Sequence, residues 1–580
     1  MPYRQPFQIA FALRESFRRG YAAGDLRADV LAGLVVGVVA LPLSMALAIA
    51  SGVAPQHGLY TAIVAGGMTA LLGGSRVQVS GPTAAFVVLL APVSARFGVA
   101  GLLLASAMAG LVLLAMGLLR LGRLIQFMPY PVTTGFTAGI GLVIASLQLK
   151  DFFGLAPVAA AEQSWLERMG ALVRAAPTAR GAELLVGAST LAVLVVWRRI
   201  RSRVPAPLVA LALGAFVAWL LERFSGESVA TLSSRFGTPE APAGIPRLPP
   251  LFAWPWNAPG PDGKPFVLSL ATLEALVPSA FAIAMLGAIE SLLAAVVSDG
   301  MSGHKHQPDV ELMALGTANV VAPFFGGFAA TGAIARTATN VRAGARSPFA
   351  ALTHALFVLV AVVALAPWLG HLPMASLAAL LLMVAWNMAE VRHFAKVVRT
   401  APRADTAVLL CCFALTVLFD MTVAVSVGVL LAALLFMHRM IEISGAELIG
   451  PGHPERGQNL PHGLLVYDIG GPMFFGAAHK ATSQLFSFDR KDVRLVLLDL
   501  EDVPAIDATG IVNLESAVER LQSGGVEVWL TGLQRQPREA LERAGLLARR
   551  SIQVHDEFDD ALARARAHLA AEGKPAPRLA

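Results

Sequence analysis

Charged residues are scarce in this chain: they make up 14% of its 580 residues, against about 25% in soluble globular proteins, whereas 56% are hydrophobic. The only two cysteines, Cys411 and Cys412, are adjacent inside an apolar run, which excludes a disulfide framework and the usual spacing of zinc ligands. No phosphate-binding loop of the form G-x-x-x-x-G-K-S/T occurs, which argues against a pump that hydrolyses nucleotide directly. These shortages predict a membrane protein without a metal or an organic cofactor, and not an enzyme.

The shortage of charge is confined to the first three quarters of the chain. Residues 1–440 hold 49 charged side chains and a net charge of +11, whereas residues 441–580 hold 35 and a net charge of −5. The overall charge of +6 therefore arises in the loops of a membrane domain and does not indicate nucleic-acid binding. We expect five parts: a cytoplasmic N-terminal segment (1–29) rather than a signal peptide, a membrane domain (30–440), a linker (441–460), a soluble domain (461–570) and a C-terminal tail (571–580).

The membrane domain has room for many spans, because a spanning helix needs about 20 mostly apolar residues. Fourteen candidates lie near 30–51, 56–74, 81–95, 97–119, 131–149, 182–198, 205–222, 270–297, 310–325, 332–341, 348–369, 373–389, 405–420 and 422–438. With the N-terminus inside, the six inner connections contain fourteen Lys or Arg residues and the short outer ones only Arg96. This asymmetry predicts that the N-terminus and the soluble domain both lie in the cytoplasm; we expect the protein in the inner membrane of a bacterium.

Two candidate spans are too short to cross the bilayer, and each is the third in a group of seven. The first opens with SGPTAAF at 80–86 and the second with ATGAIART at 330–337. Short segments interrupted by Gly or Pro at matching positions of two halves indicate a transporter binding site. Because seven is odd, the second group is inverted relative to the first, and both interrupted helices point their N-termini at one midplane position.

Such helix starts suit an anion, because their free amides and partial positive charge favour it. The alternative is that the glycines and the proline only kink packed helices. We predict that a small anionic substrate is bound by residues at the two interruptions: Gly81, Pro82, Thr83, Ala84, Ala85, Gly332, Ala333, Ile334, Ala335 and Arg336.

Two ionisable residues stand out in the apolar body, where a charge is costly and so indicates function. Arg336 lies one turn into the second interrupted helix and would add a full charge to the anion site, or else pair structurally with a carboxylate or carbonyl. Glu290 lies inside the eighth span among apolar neighbours, which favour its protonated form. We predict that Glu290 couples transport to protons; an ion pair with Arg336 or a sodium site are the alternatives.

The tail changes to a different pattern. Residues 464–469, 493–500 and 526–530 are typical of buried strands, and helical runs are predicted near 477–488, 509–523 and 536–546. This alternation predicts an α/β domain of about 110 residues. In the turn IDATG at 506–510, Asp507 or Thr509 is predicted to cap the following helix and to form a binding loop, since no partner for catalysis lies nearby.

Several motifs together resemble one family. The membrane domain resembles the sulfate permease (SulP) family of anion transporters through APQHGLY at 54–60, SGPTAAF at 80–86, LGAIES at 286–291 and ARTATN at 335–340. The tail resembles the sulfate transporter and anti-sigma antagonist (STAS) domain through VPAIDATG at 503–510. Within the family, GPTAAFVV at 81–88, AMLGAIESLL at 284–293, NVRAGA at 340–345 and LMVAWNM at 382–388 are most similar to the aerobic dicarboxylic acid transporters of bacteria.

The resemblance carries further expectations. It implies a fold of fourteen segments in two inverted repeats of seven, divided into core and gate domains, with a binding site between the third and tenth helices, elevator movement and a homodimer. It also implies uptake of succinate, fumarate and aspartate with protons; sulfate or bicarbonate, with protons or sodium, is the alternative. Many relatives carry Glu or Gln after the proline of the first span, whereas Pro42 is followed here by Leu43, which leaves the proton to Glu290. A membrane-tethered signalling protein, whose STAS domain binds a cytoplasmic protein, is the alternative outside transport.

Overall fold

The computed structural model of the protein describes residues 9–572, except 124–127, 157–163, 198, 201, 203, 420, 450–459, 475, 477 and 481–492. The chain forms two compact units, Met1–Val429 and Leu430–Ala580. Within the described residues the regular structure of the first unit is helical apart from one pair of two-residue strands, β1 (Ser80–Gly81) and β2 (Thr331–Gly332), and the second unit is built on a five-stranded sheet. The helix predicted near 477–488 and the tail predicted at 571–580 fall mostly outside the described residues.

Each of the seven spans predicted in the first half of the membrane domain coincides with helical structure. Residues 56–74 form two α-helices joined by a π-helical turn, Thr61–Ala65. The third and fourth spans run together in one long helix, which Gly98 breaks with a non-helical backbone conformation. The helices are α1 (Phe11–Arg18), α2 (Ala23–Ala50), α3 (Pro55–Tyr60), α4 (Gly66–Leu72), α5 (Ala84–Leu118), α6 (Tyr130–Phe152), α7 (Trp165–Ala175), α8 (Gly181–Trp197), α9 (Ala206–Ser225) and α10 (Leu232–Phe236).

The second half repeats this arrangement, and each of its seven predicted spans is again helical. The spans are α11 (Leu270–Ser302), α12 (Pro308–Val321), α13 (Ile334–Arg342), α14 (Phe349–Leu369), α15 (Met374–Ala389), α17 (Arg403–Leu418) and α18 (Met421–Ile443), and an additional helix, α16 (Val391–Thr400), lies between α15 and α17. Three helices of the unit lie in segments that we expected to be connections, namely α7, α10 and α16. All three are short and carry charged or polar residues, so hydropathy did not indicate them.

Eight helices in the described part of the chain are long and apolar enough to cross a bilayer individually. A bent pair, 165–178 with 181–197, gives a ninth. The remaining predicted spans are shorter, and the chain interrupts two of them, at α3 and α4 and at α13. The architecture is therefore that of a polytopic helical membrane protein with several discontinuous segments.

Helix packing in the membrane unit is symmetric between its halves. The first span, α2, packs on α14, and its counterpart α11 packs on α5. The fifth span, α6, packs on α17, its counterpart α15 packs on α8, and α6 and α15 pack on each other. Exchanging each span with the one seven places later leaves this pattern unchanged. The pattern supports the predicted repeat of seven segments.

The same contacts divide the helices into two packing groups. The α5 group consists of α2, α4, α5, α11, α12, α13 and α14; the α6 group consists of α6, α8, α9, α15 and α17. Within the α5 group, α5 and α12 approach each other at Gly110 and Gly316. A Cβ atom at Gly110 would lie 2.6 Å from the backbone nitrogen of Val320, and one at Gly316 would lie 2.6 Å from that of Leu114. Glycine is therefore required at both positions for this close contact.

The second unit contains one mixed sheet of order β3-β4-β5-β6-β7, in which β3 is antiparallel to β4 and the other pairs are parallel. Its strands are β3 (Gly445–Ile449), β4 (Leu464–Gly470), β5 (Leu495–Asp499), β6 (Glu527–Thr531) and β7 (Ile552–His555), and its described helices are α19 (Ala508–Ser523), α20 (Arg535–Arg543) and α21 (Phe558–Glu572). The helices α19 and α20 cover one face of the sheet, and α21 covers the other.

The sheet of this domain extends into the segment that we predicted as a linker. Strand β3 lies in the segment 441–460 that we expected to be a linker, so the sheet begins at Gly445 and not after 460. Its five residues gain their regular structure by pairing with β4 over the register Gly445↔Gly470 to Ile449↔Val466. Sequence analysis also missed β7 and α21. A strand of four or five residues has little pattern of its own, and only the neighbouring strand satisfies its backbone groups.

Candidate functional site

The two interruptions of the membrane unit lie side by side. Before α5, residues Ser80–Gly81 form strand β1, and before α13, Thr331–Gly332 form strand β2. The strands pair antiparallel, with Ser80 opposite Gly332 and Gly81 opposite Thr331. This pairing is the same when the two halves are exchanged, as a two-fold repeat requires. Both α5 and α13 therefore start from a single crossing point.

Neither helix start is closed by its own N-cap side chain. The N-cap residue of α5 is Thr83 and that of α13 is Ala333, and neither accepts a hydrogen bond from the amides of the first turn. The first amides of a helix have no partner within the helix and carry a partial positive charge. The crossing point thus brings together two helix starts whose first amides are not capped by an N-cap side chain.

Arg336 brings a full positive charge to the crossing. Its side chain lies in the first turn of α13 and is only 3% exposed. One terminal nitrogen, Nη2, donates a hydrogen bond to the backbone carbonyl of Pro82, and the other, Nη1, is buried without a partner among the described residues. A buried donor without a partner is costly, which indicates that Nη1 is positioned for a ligand.

Gly81 makes room for this guanidinium. A Cβ atom at Gly81 would lie 2.8 Å from Arg336 Nη1, and the residue has a φ of 152°. Any side chain here would displace the cation. The glycine of the first interruption is thus required by the arginine of the second, and the reading of Gly81 as a simple helix kink is insufficient.

Glu290 contacts the first interruption. Its carboxylate, on α11, accepts a hydrogen bond of 2.8 Å from the hydroxyl of Thr83. Within the described part of the chain no salt bridge joins Glu290 to Arg336, and each side chain instead contacts the first interruption, at Thr83 and at Pro82. The Thr83 hydroxyl points to Glu290 instead of capping α5, which links the carboxylate to the helix start.

A buried polar network that sequence analysis missed holds the crossing in place. Gln78 donates to the hydroxyl of Ser291 over 2.8 Å, and Asn340 donates to the carbonyl of Val77 over 2.8 Å. The hydroxyl of Thr337 accepts from the backbone nitrogen of Val79 over 3.1 Å. The available signal was the occurrence of polar residues next to both interruptions within an otherwise apolar domain.

The predicted site residues fall into two sets by exposure. Those of the first interruption are all buried: Gly81, Pro82, Thr83, Ala84 and Ala85. In the second interruption Gly332, Ala333 and Arg336 are buried, whereas Ile334 and Ala335 are exposed. All ten lie at the crossing or in the first turn of α5 or α13, and only Ile334 and Ala335 extend out of the packed interior.

Comparison with known protein families agrees with this geometry. The model of the sulfate permease family matches residues 26–412, and that of the STAS domain matches residues 459–561. The chain belongs to the sulfate permease family. It is a multi-pass membrane protein of an anion-transporter family, with a C-terminal STAS domain.

Known members of the sulfate permease family are similar over most of their length. The protein named "putative sulfate transporter YvdB" of Bacillus subtilis is 39% identical over 499 residues, covering 86% of this chain and 89% of the relative. The "bicarbonate transporter BicA" of Synechocystis is 29% identical over 513 residues, covering 84% of each chain. The finer resemblance to dicarboxylic acid transporters stays a prediction.

Solved structures show the same fold. The structure described as "the overall structure of SLC26A9" has a TM-score of 0.80 at 18% identity, over 97% of this chain and 94% of that one. The "transmembrane domain of a cyanobacterium bicarbonate transporter BicA" has a TM-score of 0.58 at 29% identity and covers 71% of this chain and 98% of the other. The family fold of helical membrane domain and STAS domain is thus present in this chain.

Of the two residues predicted to cap the helix after the STAS-domain turn, Asp507 is the cap. The carboxylate of Asp507 accepts a hydrogen bond of 2.7 Å from the backbone nitrogen of Gly510, at the start of α19. Thr509 is the second residue of the helix and is exposed, so it is not the cap. Binding of a partner at this loop stays a prediction.

Proposed function

We propose that the protein takes up a small anion together with protons, and that four-carbon dicarboxylates such as succinate, fumarate and aspartate are its substrates. The observation that carries the proposal is the meeting of Arg336 with Pro82 at the crossing of β1 and β2. A carboxylate could accept hydrogen bonds from the free Nη1 of Arg336 and from the first amides of α5 and α13. The choice of dicarboxylates rests on the sequence resemblance.

The position of Glu290 supports coupling to protons. Its carboxylate is bonded to Thr83, the residue directly before the first amide of α5. A negative carboxylate at this distance repels an incoming anion, and protonation removes the repulsion. A proton on Glu290 therefore strengthens anion binding, and by reciprocity the bound anion strengthens proton binding. The two are carried together.

The elevator mechanism is supported by the packing groups. Pro82, Glu290 and Arg336 belong to α5, α11 and α13 or to the chain just before them, and these helices all belong to the α5 group. A bound anion can then move with this group as one body against the α6 group. Labelling cysteines introduced singly into α13, with and without substrate, would report such movement as a change in accessibility.

Transport of sulfate or bicarbonate is the second candidate, because the relatives that cover most of the chain are named for these anions. Sodium is the second candidate for the coupling ion, since a carboxylate and a hydroxyl such as those of Glu290 and Thr83 are oxygen ligands. A site formed by one arginine and helix amides accepts any of these anions by charge.

Uptake into proteoliposomes separates these candidates. We expect labelled succinate to enter when a proton gradient is imposed, and to enter less when the gradient is collapsed. Faster uptake of labelled sulfate or bicarbonate than of succinate would identify that anion as the substrate. Dependence of uptake on an imposed sodium gradient would identify sodium as the coupling ion. Absence of uptake of all three, with normal folding, would favour the alternative that the protein is a membrane-tethered signalling protein.

The assembly and placement of the protein belong to the same proposal. We expect a homodimer in the bacterial inner membrane, with the N-terminus and the STAS domain in the cytoplasm and a cytoplasmic protein bound to the STAS domain. Mass photometry of the detergent-solubilised chain tests the dimer. Protease digestion of sealed, inside-out vesicles tests the placement, because only a cytoplasmic STAS domain would be cleaved there.

A further inference from the structure

A second concentration of positive charge lies away from the crossing of β1 and β2. A cavity of about 400 Å³ opens where α1, α2, α11, α13 and the segment before β1 meet. We call it the basic pocket and define it by Arg19, Arg76, His304 and Arg346, with Tyr21 and Asp25 also in its wall. It contains more basic side chains than acidic ones and none of the residues predicted for the transport site.

The basic side chains of the pocket converge on one imidazole. Arg19 Nη1 lies 3.4 Å from His304 Nδ1, and Arg76 Nη1 lies 3.2 Å from His304 Nε2. A neutral histidine has only one nitrogen that can accept a hydrogen bond. One of the two guanidinium groups therefore faces an N–H group and has no acceptor in this contact.

Arg76 is the least compensated of these cations. Arg19 is paired with Glu15 at 2.7 Å and Arg346 with Asp25 at 2.6 Å, whereas no ion pair to Arg76 is present within the described residues. Its Nε atom is buried and also without a partner there. Two donors of the pocket thus lack an acceptor, namely one guanidinium facing His304 and Arg76 Nε, and the charge of Arg76 is not paired with a carboxylate among the described residues.

The pocket is bounded by the same segments that carry the transport site. Arg76 lies four residues before Ser80 of β1, His304 follows the end of α11, which carries Glu290, and the pocket residues Val341 and Ala345 lie at the end of α13, which carries Arg336. A ligand here would hold together the ends of all three segments.

We propose that the basic pocket binds the phosphate group of an anionic ligand. Arginine forks match the oxygens of a phosphate, and a tetrahedral dianion can accept hydrogen bonds from Arg19, Arg76 and His304 at once. The volume accommodates a head group larger than a free ion. Two sources share this chemistry: a phospholipid head group or a free phosphate.

The surroundings of the pocket make a lipid head group a realistic source. Helix α1 ends next to Arg19; its residue Phe17 is 56% exposed, and Ile9, in the turn before the helix, is 57% exposed. Apolar side chains on a short helix beside arginines are typical of a segment lying at the membrane interface. Anionic lipids attract basic residues at this depth.

The test uses the full-length chain with Arg336→Ala, so that phosphate does not act through the transport site. We expect inorganic phosphate to raise the unfolding temperature of this variant, with the apparent affinity falling at least about tenfold on adding Arg76→Gln or Arg19→Gln. Arg247→Gln, a change of an exposed arginine outside the pocket, is the matched control and should leave the affinity unchanged. Arg19 is 55% exposed, so Arg19→Gln keeps the test valid if Arg76→Gln fails to fold.

A second arm identifies the source of the phosphate group. The same variants are reconstituted in phosphatidylcholine vesicles with or without phosphatidylglycerol. If phosphatidylglycerol stabilises the protein and Arg19→Gln removes this stabilisation, the ligand is a lipid head group. If only inorganic phosphate stabilises the protein, the ligand is a soluble phosphate. The proposal is overturned if neither probe stabilises the protein, or if the pocket variants respond as Arg247→Gln does. Because the readout is stability and not uptake, failure here is independent of the proposed transport function.

Discussion

The guanidinium of Arg336 is hydrogen-bonded to the carbonyl of Pro82, 254 residues away in the chain. Each residue stands at the interruption of one repeat, so the bond ties the two broken segments together. Only one of the two terminal nitrogens is used, and the other faces no acceptor among the described residues. The bond thus holds the cation in place while leaving it able to bind an anion.

Loss of this cation should weaken anion binding. We expect Arg336→Ala to reduce affinity by roughly 10- to 100-fold, because a hydrogen bond to a charged group contributes about 1.5 to 3 kcal/mol. Arg342→Ala is the matched control, since Arg342 lies on the same helix but is exposed. Binding constants from isothermal calorimetry on purified protein provide the comparison, and equal losses for both variants would count against the site.

Replacing Glu290, the proposed proton carrier, should make the rate of uptake independent of pH. Gln at position 290 keeps an oxygen that can accept from the Thr83 hydroxyl but cannot take up a proton. We expect uptake by Glu290→Gln to become nearly independent of external pH between about 5.5 and 8, with the fold retained. Glu274→Gln changes an exposed carboxylate of the same helix, α11, and should keep the normal pH profile. A normal profile in Glu290→Gln would exclude Glu290 as the carrier.

A methyl group added at Gly81, in the first interruption, should displace Arg336 of the second interruption. In Gly81→Ala the new Cβ would lie 2.8 Å from Arg336 Nη1, so the guanidinium must move. We expect anion affinity to fall at least about tenfold, as for loss of a charged hydrogen bond. Gly67→Ala is the control, because its Cβ would make only an ordinary contact of 3.8 Å with Ala355. Unchanged anion binding in Gly81→Ala would mean that the close approach is not needed.

In the STAS domain, the cap of α19 can be tested locally. Replacing an N-cap Asp by Ala costs about 1 kcal/mol, or roughly fivefold in local opening. We therefore expect Asp507→Ala to speed hydrogen exchange in the first turn of α19 in the full-length chain, whereas Asp507→Asn should preserve protection. Thr509→Ala should have little effect on the cap because the hydroxyl is exposed. Equal exchange in the Ala and Asn variants of Asp507 would contradict this assignment.

His304 makes anion binding in the basic pocket sensitive to pH. Burial lowers its pKa, Arg76 and Arg19 lower it further, and Asp299 and Glu15 act in the opposite direction. The imidazole is then neutral at neutral pH, and protein stability falls as the pH drops below its ordinary pKa of about 6.5, because unfolding takes up a proton.

A bound anion would counteract the lowering of the His304 pKa. Its charge raises the pKa of His304, so binding takes up a proton and should tighten as the pH falls. Sulfate, whose charge is constant over this range, is the probe, with thermal stabilisation of Arg336→Ala as the readout. We expect the pH dependence to disappear on adding His304→Gln; its persistence would assign the effect to another group.

The positions of the membrane segments were predictable from composition. All fourteen apolar runs correspond to helical structure, because burial in lipid requires a continuous stretch of apolar residues whose backbone is satisfied within the helix. The interruptions near Pro82 and Gly332 were also predictable, since glycine and proline break helices through their own backbone properties. The strand Gly445–Ile449, inside the predicted linker 441–460, was not predictable, because it is ordered by pairing with another strand and carries no long apolar signal.

Local properties of the chain were thus enough to find the spans, the two interruptions and the residues Arg336 and Glu290. They could not reveal that Arg336 bonds to Pro82, that Glu290 bonds to Thr83 rather than to Arg336, or that Gly81 must leave room for a guanidinium. Hydropathy and helix breaking depend on neighbours in the chain, whereas these contacts join residues more than 200 positions apart. Their geometry exists only when both repeats have packed against each other.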